Sequence, residues 1–400
     1  GVRLEEANAT SVPEIYIIAG EPSGDHLGAR LMAALKTQTA GEVRFTGVGG
    51  IEMAKQGLSS LFPMSELTVM GLTEVLPRLP NLLRRINETV RHIRKTQPDV
   101  VVTIDTPDFS LRVAKKIHGH SIPLVHYVAP SVWAWKPDRA KKITPILDHL
   151  MTLLPFEPPY FEKEGLASTF VGHSILESGA AKGDGAAFRS RFGIDPAVKV
   201  LSILPGSRHS EVKFLLPVIF EAIERLEHSN LRIILPTIAT VEVELKCAIA
   251  KWPENISRLV TIVTGEEAKI DAFAASDAAI AVSGTVALEL ALAGVPYVTI
   301  YKFNVLTAII ARRMVKTPFV NIINVLLDQE AVPELIQENC RGDTIAAHIS
   351  KFLSDDDSAK IQVAKFEDAI SRLQDGDHRP SERAAEVVLD VISQHAKLKN

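Results

Sequence analysis

At 400 residues the chain is too long for one hydrophobic core and calls for two or three domains. Its net charge of -4 gives no bulk attraction to nucleic acid, and no window reaches the roughly 18 uninterrupted apolar residues of a membrane-spanning helix. Cys247 and Cys340 fit neither a disulfide framework nor a metal spacing, which points to a reducing cytoplasm.

Residues 1–13 are polar, so no signal peptide is expected, and a start at Gly1-Val2 without Met reads as a trimmed amino end. Short apolar runs then alternate with windows of helical periodicity. In the first half the predicted strands are 14–19, 43–48, 99–104, 124–128, 150–154 and 169–171. In the second half they are 200–204, 232–235, 259–263, 278–282 and 297–300. Helical windows such as Leu27–Leu35 and Val286–Ala293 lie between them. This rhythm predicts parallel sheets covered on both faces, twice over. The Gly-rich stretch 177–185 reads as the linker, and residues 343–400 read as helical. The fold expected is α/β, with two Rossmann-like domains and a cleft between them.

The first turn, Ala19-Gly20-Glu21-Pro22-Ser23-Gly24-Asp25, follows a strand and opens a helix, whose free N–H groups suit an anion or a hydroxyl. It lacks the dinucleotide fingerprint, and Gly47-x-Gly49 follows the second strand without the third glycine, so a nicotinamide site is poorly supported. In the segment 67–95, apolar Val69, Met70, Leu72, Val75 and Leu76 lie beside a basic cluster that includes Arg84 and Arg85. Pro77 and Pro80 are expected to break it into two short helices. It suits an interfacial helix on anionic lipid or a pocket for acyl chains, with an amphipathic core helix as the plain alternative. Val305–Lys316 repeats the apolar-basic pattern.

Asp105 ends the apolar strand 99–104. A carboxylate there loses solvent, which raises its pKa toward the range of a general base. Asp108 suits the cap of the next helix. The strand 124–128 runs into Pro130-Ser131-Val132-Trp133-Ala134-Trp135, which holds two of the three tryptophans where a ligand of an open α/β sheet would sit. Leu204-Pro205-Gly206-Ser207-Arg208 offers a backbone cradle and a fixed cationic fork for phosphate. Ser283-Gly284-Thr285 opens another helix, and Glu289 follows one turn later, where its carboxylate suits two ribose hydroxyls. Together these read as a nucleotide diphosphate site. The twelve histidines have no metal-binding spacing; His126 reads as a core residue, and no metal or cofactor is expected.

In order along residues 14–340, Gly20-Glu21-x-Ser23-Gly24-Asp25, Ile104-Asp105-x-Pro107-Asp108-Phe109, His126-Tyr127-Val128-x-Pro130-Ser131-Val132-Trp133-Ala134-Trp135, Leu204–Arg208 and Ser283-Gly284-Thr285-x-x-x-Glu289 closely resemble the lipid-A-disaccharide synthase family. Pro22 departs from the pattern, which has Ala there. The resemblance implies a GT-B glycosyltransferase of family 19, with two Rossmann-like parallel-sheet domains facing across a cleft. It implies an acceptor and membrane-associated domain at 1–175 and a UDP-sugar domain at 190–365, with helices at 366–400 whose packing back on the first domain is left open. The implied reaction moves 2,3-diacylglucosamine from UDP-2,3-diacylglucosamine to the 6-hydroxyl of 2,3-diacylglucosamine 1-phosphate (lipid X), with inversion. Asp105 matches the family base and Arg208 its arginine. Gly206, Ser207, Ser283, Gly284, Thr285 and Glu289 are then donor residues. Ser23, Gly24, Asp25, Ser131, Trp133 and Trp135 face the acceptor, and the basic-apolar segment faces lipid. The implied partners are these two substrates and the phospholipid of the inner membrane's cytoplasmic face, with a homodimer compatible and nucleic acid not expected. The alternatives are another GT-B enzyme using a UDP-sugar, which needs no apolar-basic segment, and a non-catalytic nucleotide- or lipid-binding protein, which needs no base.

Overall fold

The computed structural model describes residues 11–68, 75–119, 121–130, 138–282, 284, 286–303, 318–354 and 357–400, with backbone alone for 75–78. Two compact units emerge, one of residues 1–174 with 373–400, the other of residues 175–372.

The first unit carries strands β1 (Glu14–Ala19), β2 (Arg44–Val48), β3 (Val100–Ile104), β4 (Leu124–Tyr127), β5 (His149–Thr152) and β6 (Ser168–Phe170). They form one parallel sheet in the order β2-β1-β3-β4-β5-β6. Side chains alternate across a strand, so one sequence run feeds two cores. Ile15, Ile17, Val100, Val102 and Ile104 pack on one face with the helix Pro22–Gln38 and with Ala384, Ala385, Val388 and Val391 of the helix Pro380–Lys399. Tyr16, Ile18 and Val101 face the other way, onto the helices Val75–Thr96 and Pro107–Ile117. Burial on both faces explains why β3 reads as an unbroken apolar run.

The second unit repeats the scheme with β7 (Lys199–Leu204), β8 (Leu231–Thr237), β9 (Val260–Thr264), β10 (Ala278–Val282), β11 (Tyr297–Tyr301) and β12 (Glu334–Ile336), ordered β12-β11-β10-β7-β8-β9 and again parallel. Leu201, Ile203, Ile233 and Ile280 meet the helices His209–Glu224 and Gly342–Leu353. Val200, Ile234 and Val263 meet the helices Gly185–Arg191 and Glu266–Ala275.

Three expectations change. β12 has no forerunner in the periodicity, because three edge residues after Pro333 make too short a pattern to register. Val75–Thr96 is one helix of 22 residues rather than two, with Pro80 inside it. Pro77 falls in the first turn, where backbone N–H groups have no intrahelical partner to lose. Asp108 is not a cap, because the helix begins at Pro107 and Thr106 is its N-cap residue. At the end of the stretch 177–185 the Asp184 N–H donates to Asp271 at 2.8 Å, and its carboxylate caps the helix Gly185–Arg191 by accepting from Ala187 N–H at 2.9 Å.

Candidate active site

Ligands of an open parallel sheet bind beyond the carboxyl ends of the strands, where the strand order reverses. In the first unit the reversal lies between β1 and β3. The register pairs Ala19 with Ile104 and Ile104 with Tyr127, which sets Gly20, Asp105 and Val128 side by side at the carboxyl edge. The backbone there is strained: Asp105, Thr106 and Val128 have φ of 46°, 44° and 80°. Left-handed geometry costs about 1–2 kcal/mol at such non-glycine positions. Tyr127 C=O accepts from the Asp105 N–H at 2.9 Å, and Asp105 C=O accepts from the Ser110 hydroxyl at 2.9 Å. These bonds hold the strained corner. Gly20 is required beside it, since a Cβ there would stand 2.8 Å from the Thr106 side chain.

The Asp105 carboxyl is pushed above the usual aspartate range by burial, which the hydrogen bond from the Thr106 backbone only partly offsets. Glu21 is raised too, first by burial and then by the charge of Asp105. The corner therefore joins two carboxylates, of which residue patterning singled out one. Glu21 adjoins Gly20 in the same motif, and that adjacency was the available signal.

Asp25 also makes contacts of its own within the fold. Its buried carboxylate accepts from the backbone N–H of Gly50 (2.9 Å), Glu52 (3.0 Å) and Met53 (3.0 Å), holding the start of the helix Ile51–Lys55. Those three bonds tie the carboxylate to the neighbouring helix within the fold. Ser23 is exposed and Gly24 buried at the start of the helix Pro22–Gln38, with Pro22 at its first position, where proline is favourable. Ser131, Trp133 and Trp135 lie outside the described residues. His126 is a core residue whose Nδ1 lies 2.6 Å from the Thr103 hydroxyl, and burial lowers its pKa to about 4.

The basic helix divides by face. Leu82, Ile86, Val90 and Ile93 are buried, so part of the apolar excess is core. Arg85 is engaged within the fold. Its guanidinium grips both oxygens of Glu66 (2.5 and 2.9 Å), reaches Glu88 at 2.7 Å and lies over the Phe62 ring. Arg84, Arg91 and Arg94, with Leu83 and Lys116, line an open groove of about 770 Å³. Val69, Met70, Leu72 and all of Val305–Lys316 lie outside the described residues, and Val75 and Leu76 are described by backbone alone.

In the second unit the reversal lies between β7 and β10, and Leu204 pairs with Ala281 across it. The turns after both strands therefore open into one pocket of about 900 Å³, lined by Gly206, Ser207, Arg208, Gly284 and Glu289 among others. Gly206 has φ of 112°, which a side chain rarely adopts, and a Cβ there would press on Glu211 at 2.7 Å. Arg208 is the exposed N-cap residue of the helix His209–Glu224. Backbone donors, a helix amino end and a guanidinium thus converge, as an anion requires. Ser283 and Thr285 lie outside the described residues. His209 spends its Nδ1 on Glu244, at 2.5 Å.

Glu289 is only 14% exposed in its side chain, so it is not a surface acid. Burial raises its pKa, and the ammonium of Lys269, 2.8 Å from Oε2, pulls it back down. Lys269, Tyr301 and the Thr264-Gly265-Glu266 turn line the pocket without having been singled out in the sequence. The turn was findable, since it has the same strand-glycine-helix form as those after β7 and β10. Lys269 was not, because its tie to Glu289 crosses two helices.

The protein family described as lipid-A-disaccharide synthetase matches residues 15–388. The chain is 49% identical to a lipid-A-disaccharide synthase of Rhodospirillum centenum over 383 residues, covering 95% of this chain and 94% of that one. It is 47% identical to one of Paramagnetospirillum magneticum over 392 residues, covering 96% and 99%. Among solved structures, the S. aureus MnaA–UDP co-structure superposes with a TM-score of 0.65 at 12% identity, covering 96% of this chain and 97% of that one.

Proposed function

This chain belongs to the lipid-A-disaccharide synthase family of UDP-sugar glycosyltransferases and has the GT-B fold, and from that premise we propose the reaction its residues carry out. It moves 2,3-diacylglucosamine from UDP to the 6-hydroxyl of 2,3-diacylglucosamine 1-phosphate. The products are the β-1,6-linked disaccharide 1-phosphate and UDP.

The observation that carries this reading is the pocket at the β7/β10 reversal, where a backbone cradle, a guanidinium and a buried acid converge. The diphosphate lies over the backbone of Gly206, Ser207 and Gly284, with Arg208 on its charge. Glu289 accepts the ribose hydroxyls. The S. aureus structure of the same fold holds UDP, which supports UDP as the class of ligand and no particular residue. In the first unit Asp105 takes the proton of the acceptor 6-hydroxyl. The freed oxygen attacks the anomeric carbon, the bond from that carbon to the phosphate oxygen breaks, and its electron pair leaves with UDP. A single displacement inverts the anomeric centre. Arg208 and the pocket's backbone donors receive the charge that develops on the diphosphate. Ser23 and Gly24 serve the acceptor in this reading, and the family motif alone assigns Ser131, Trp133 and Trp135 to it.

The reading also has the chain lie peripherally on the anionic cytoplasmic face of the inner membrane, through Arg84, Arg91, Arg94 and Lys116 around the groove. No described helix is long and apolar enough to cross a membrane.

The test is sugar transfer by the wild-type chain and by Asp105→Ala, with acylated and non-acylated donors. Transfer from the acylated donor, reduced about 10²–10⁴-fold in Asp105→Ala, is expected. Equal turnover of UDP-N-acetylglucosamine would point to another sugar-nucleotide enzyme of this fold. Undiminished transfer by the variant would remove Asp105 as base, and no transfer by the wild type would leave a binding protein.

A further inference from the structure

Lys269 has no part in the displacement, yet it sits in the donor pocket with its charge spent on two acids. Its ammonium lies 2.8 Å from Oε2 of Glu289 and 3.1 Å from Oε2 of Glu266. The partners differ sharply: the Glu289 side chain keeps 14% of its surface and that of Glu266 keeps 78%. Lys269 itself keeps 22%. The solvated pair with Glu266 contributes little, whereas the screened pair with Glu289 is made where water competes weakly.

A carboxylate that serves two sugar hydroxyls must present acceptor lone pairs in a fixed direction. Glutamate does not do this unaided, because the torsion that turns its carboxylate is broad and roughly two-fold. A cation on one oxygen fixes the plane of the carboxylate and favours its ionised form against burial.

We propose that Lys269 is the positioning residue for ribose recognition, its ammonium pinning Oε2 of Glu289 so that Oε1 is the oxygen offered to the ribose diol. Glu266 holds the ammonium from the solvent side and keeps it from turning into the pocket toward the diphosphate. Burial alone would pull the Lys269 pKa down, but Glu289 and Glu266 together leave it raised, so the ammonium stays charged. The proposal rests on the reading of Glu289 as the ribose ligand, and the experiment separates the two.

Calorimetric titration with UDP and with 2′-deoxy-UDP, on the full chain and on Lys269→Met, Lys269→Arg and Glu289→Gln, tests it. The ratio of the two affinities is independent of the folded fraction, because both ligands report on the same sample. The wild type is expected to prefer UDP by about tenfold, the worth of one hydrogen bond to a charged acceptor. Lys269→Met should shrink that preference to about twofold, and Lys269→Arg should restore most of it. A tenfold preference retained in Lys269→Met, whether affinity is unchanged or weakened equally for both ligands, overturns the inference. If Glu289→Gln also keeps the full preference, or the wild type has none, the ribose reading of Glu289 falls with it. Loss of the preference in Glu289→Gln alone refutes only the role of Lys269.

Discussion

Asp25 and Asp105 show how little an acid's identity says about its work. Both follow a strand of the same sheet. Asp25 meets three backbone N–H groups and is spent on them. Asp105 is buried with much less help, so its pKa rises. A raised acid disfavours its own ionised form in the folded state. That penalty is absent below the unfolded pKa of about 3.9, grows as pH rises from there toward the folded value, and is fully present above the folded value. Asp105→Asn removes it. The variant should therefore melt at or above the wild-type temperature while transfer falls by about 10²-fold or more. Wild-type transfer should fall as pH drops through the raised pKa, since the base must be ionised. A melting temperature several degrees below wild type would instead make the carboxylate structural.

At the scale of the element, the helix Val75–Thr96 serves two masters. One stripe, through Leu82, Ile86, Val90 and Ile93, is buried in the first unit's core. The other presents Arg84, Arg91 and Arg94 around an open groove. Arg85 sits between them and belongs to the fold, through Glu66 and Glu88. Each exposed cation contributes about 1 kcal/mol at an anionic surface. Reversing Arg84, Arg91 and Arg94 to Glu should therefore weaken sedimentation with anionic vesicles by about 10²-fold or more, and leave neutral vesicles unaffected. Arg85→Gln should lower the melting temperature and leave vesicle binding alone. Equal binding to both kinds of vesicle by the wild type would contradict an electrostatic surface.

At the scale of the molecule, the chain leaves its first unit after residue 174 and returns to it at residue 373. The closing helix is no appendage. Ala384, Ala385, Val387, Val388 and Val391 are buried in the same core as Ile15, Ile17 and Val102, chiefly beside the helix Pro22–Gln38. Each buried valine contributes about 1.5 kcal/mol or more. A chain ending at Arg372 should therefore open its first unit to limited proteolysis within residues 11–174, while residues 175–372, with their own core, stay resistant. Equal resistance of both units in the shortened chain would mean that this helix covers nothing essential.

The sequence by itself determined the repeated α/β order, eleven strands to within a residue or two, and the turns that place Asp105, Gly206, Arg208 and Glu289. These are local properties: side-chain period, apolar runs and helix-opening residues are all written within about ten positions of one another. Tertiary structure alone decided that Asp25 is spent on a neighbouring helix, that Arg85 belongs to Glu66, that Lys269 meets Glu289, and that a three-residue edge strand completes the second sheet. Each of these depends on which distant residues the packing brings within about 3 Å, and hydrogen bonds and ion pairs act only at that range.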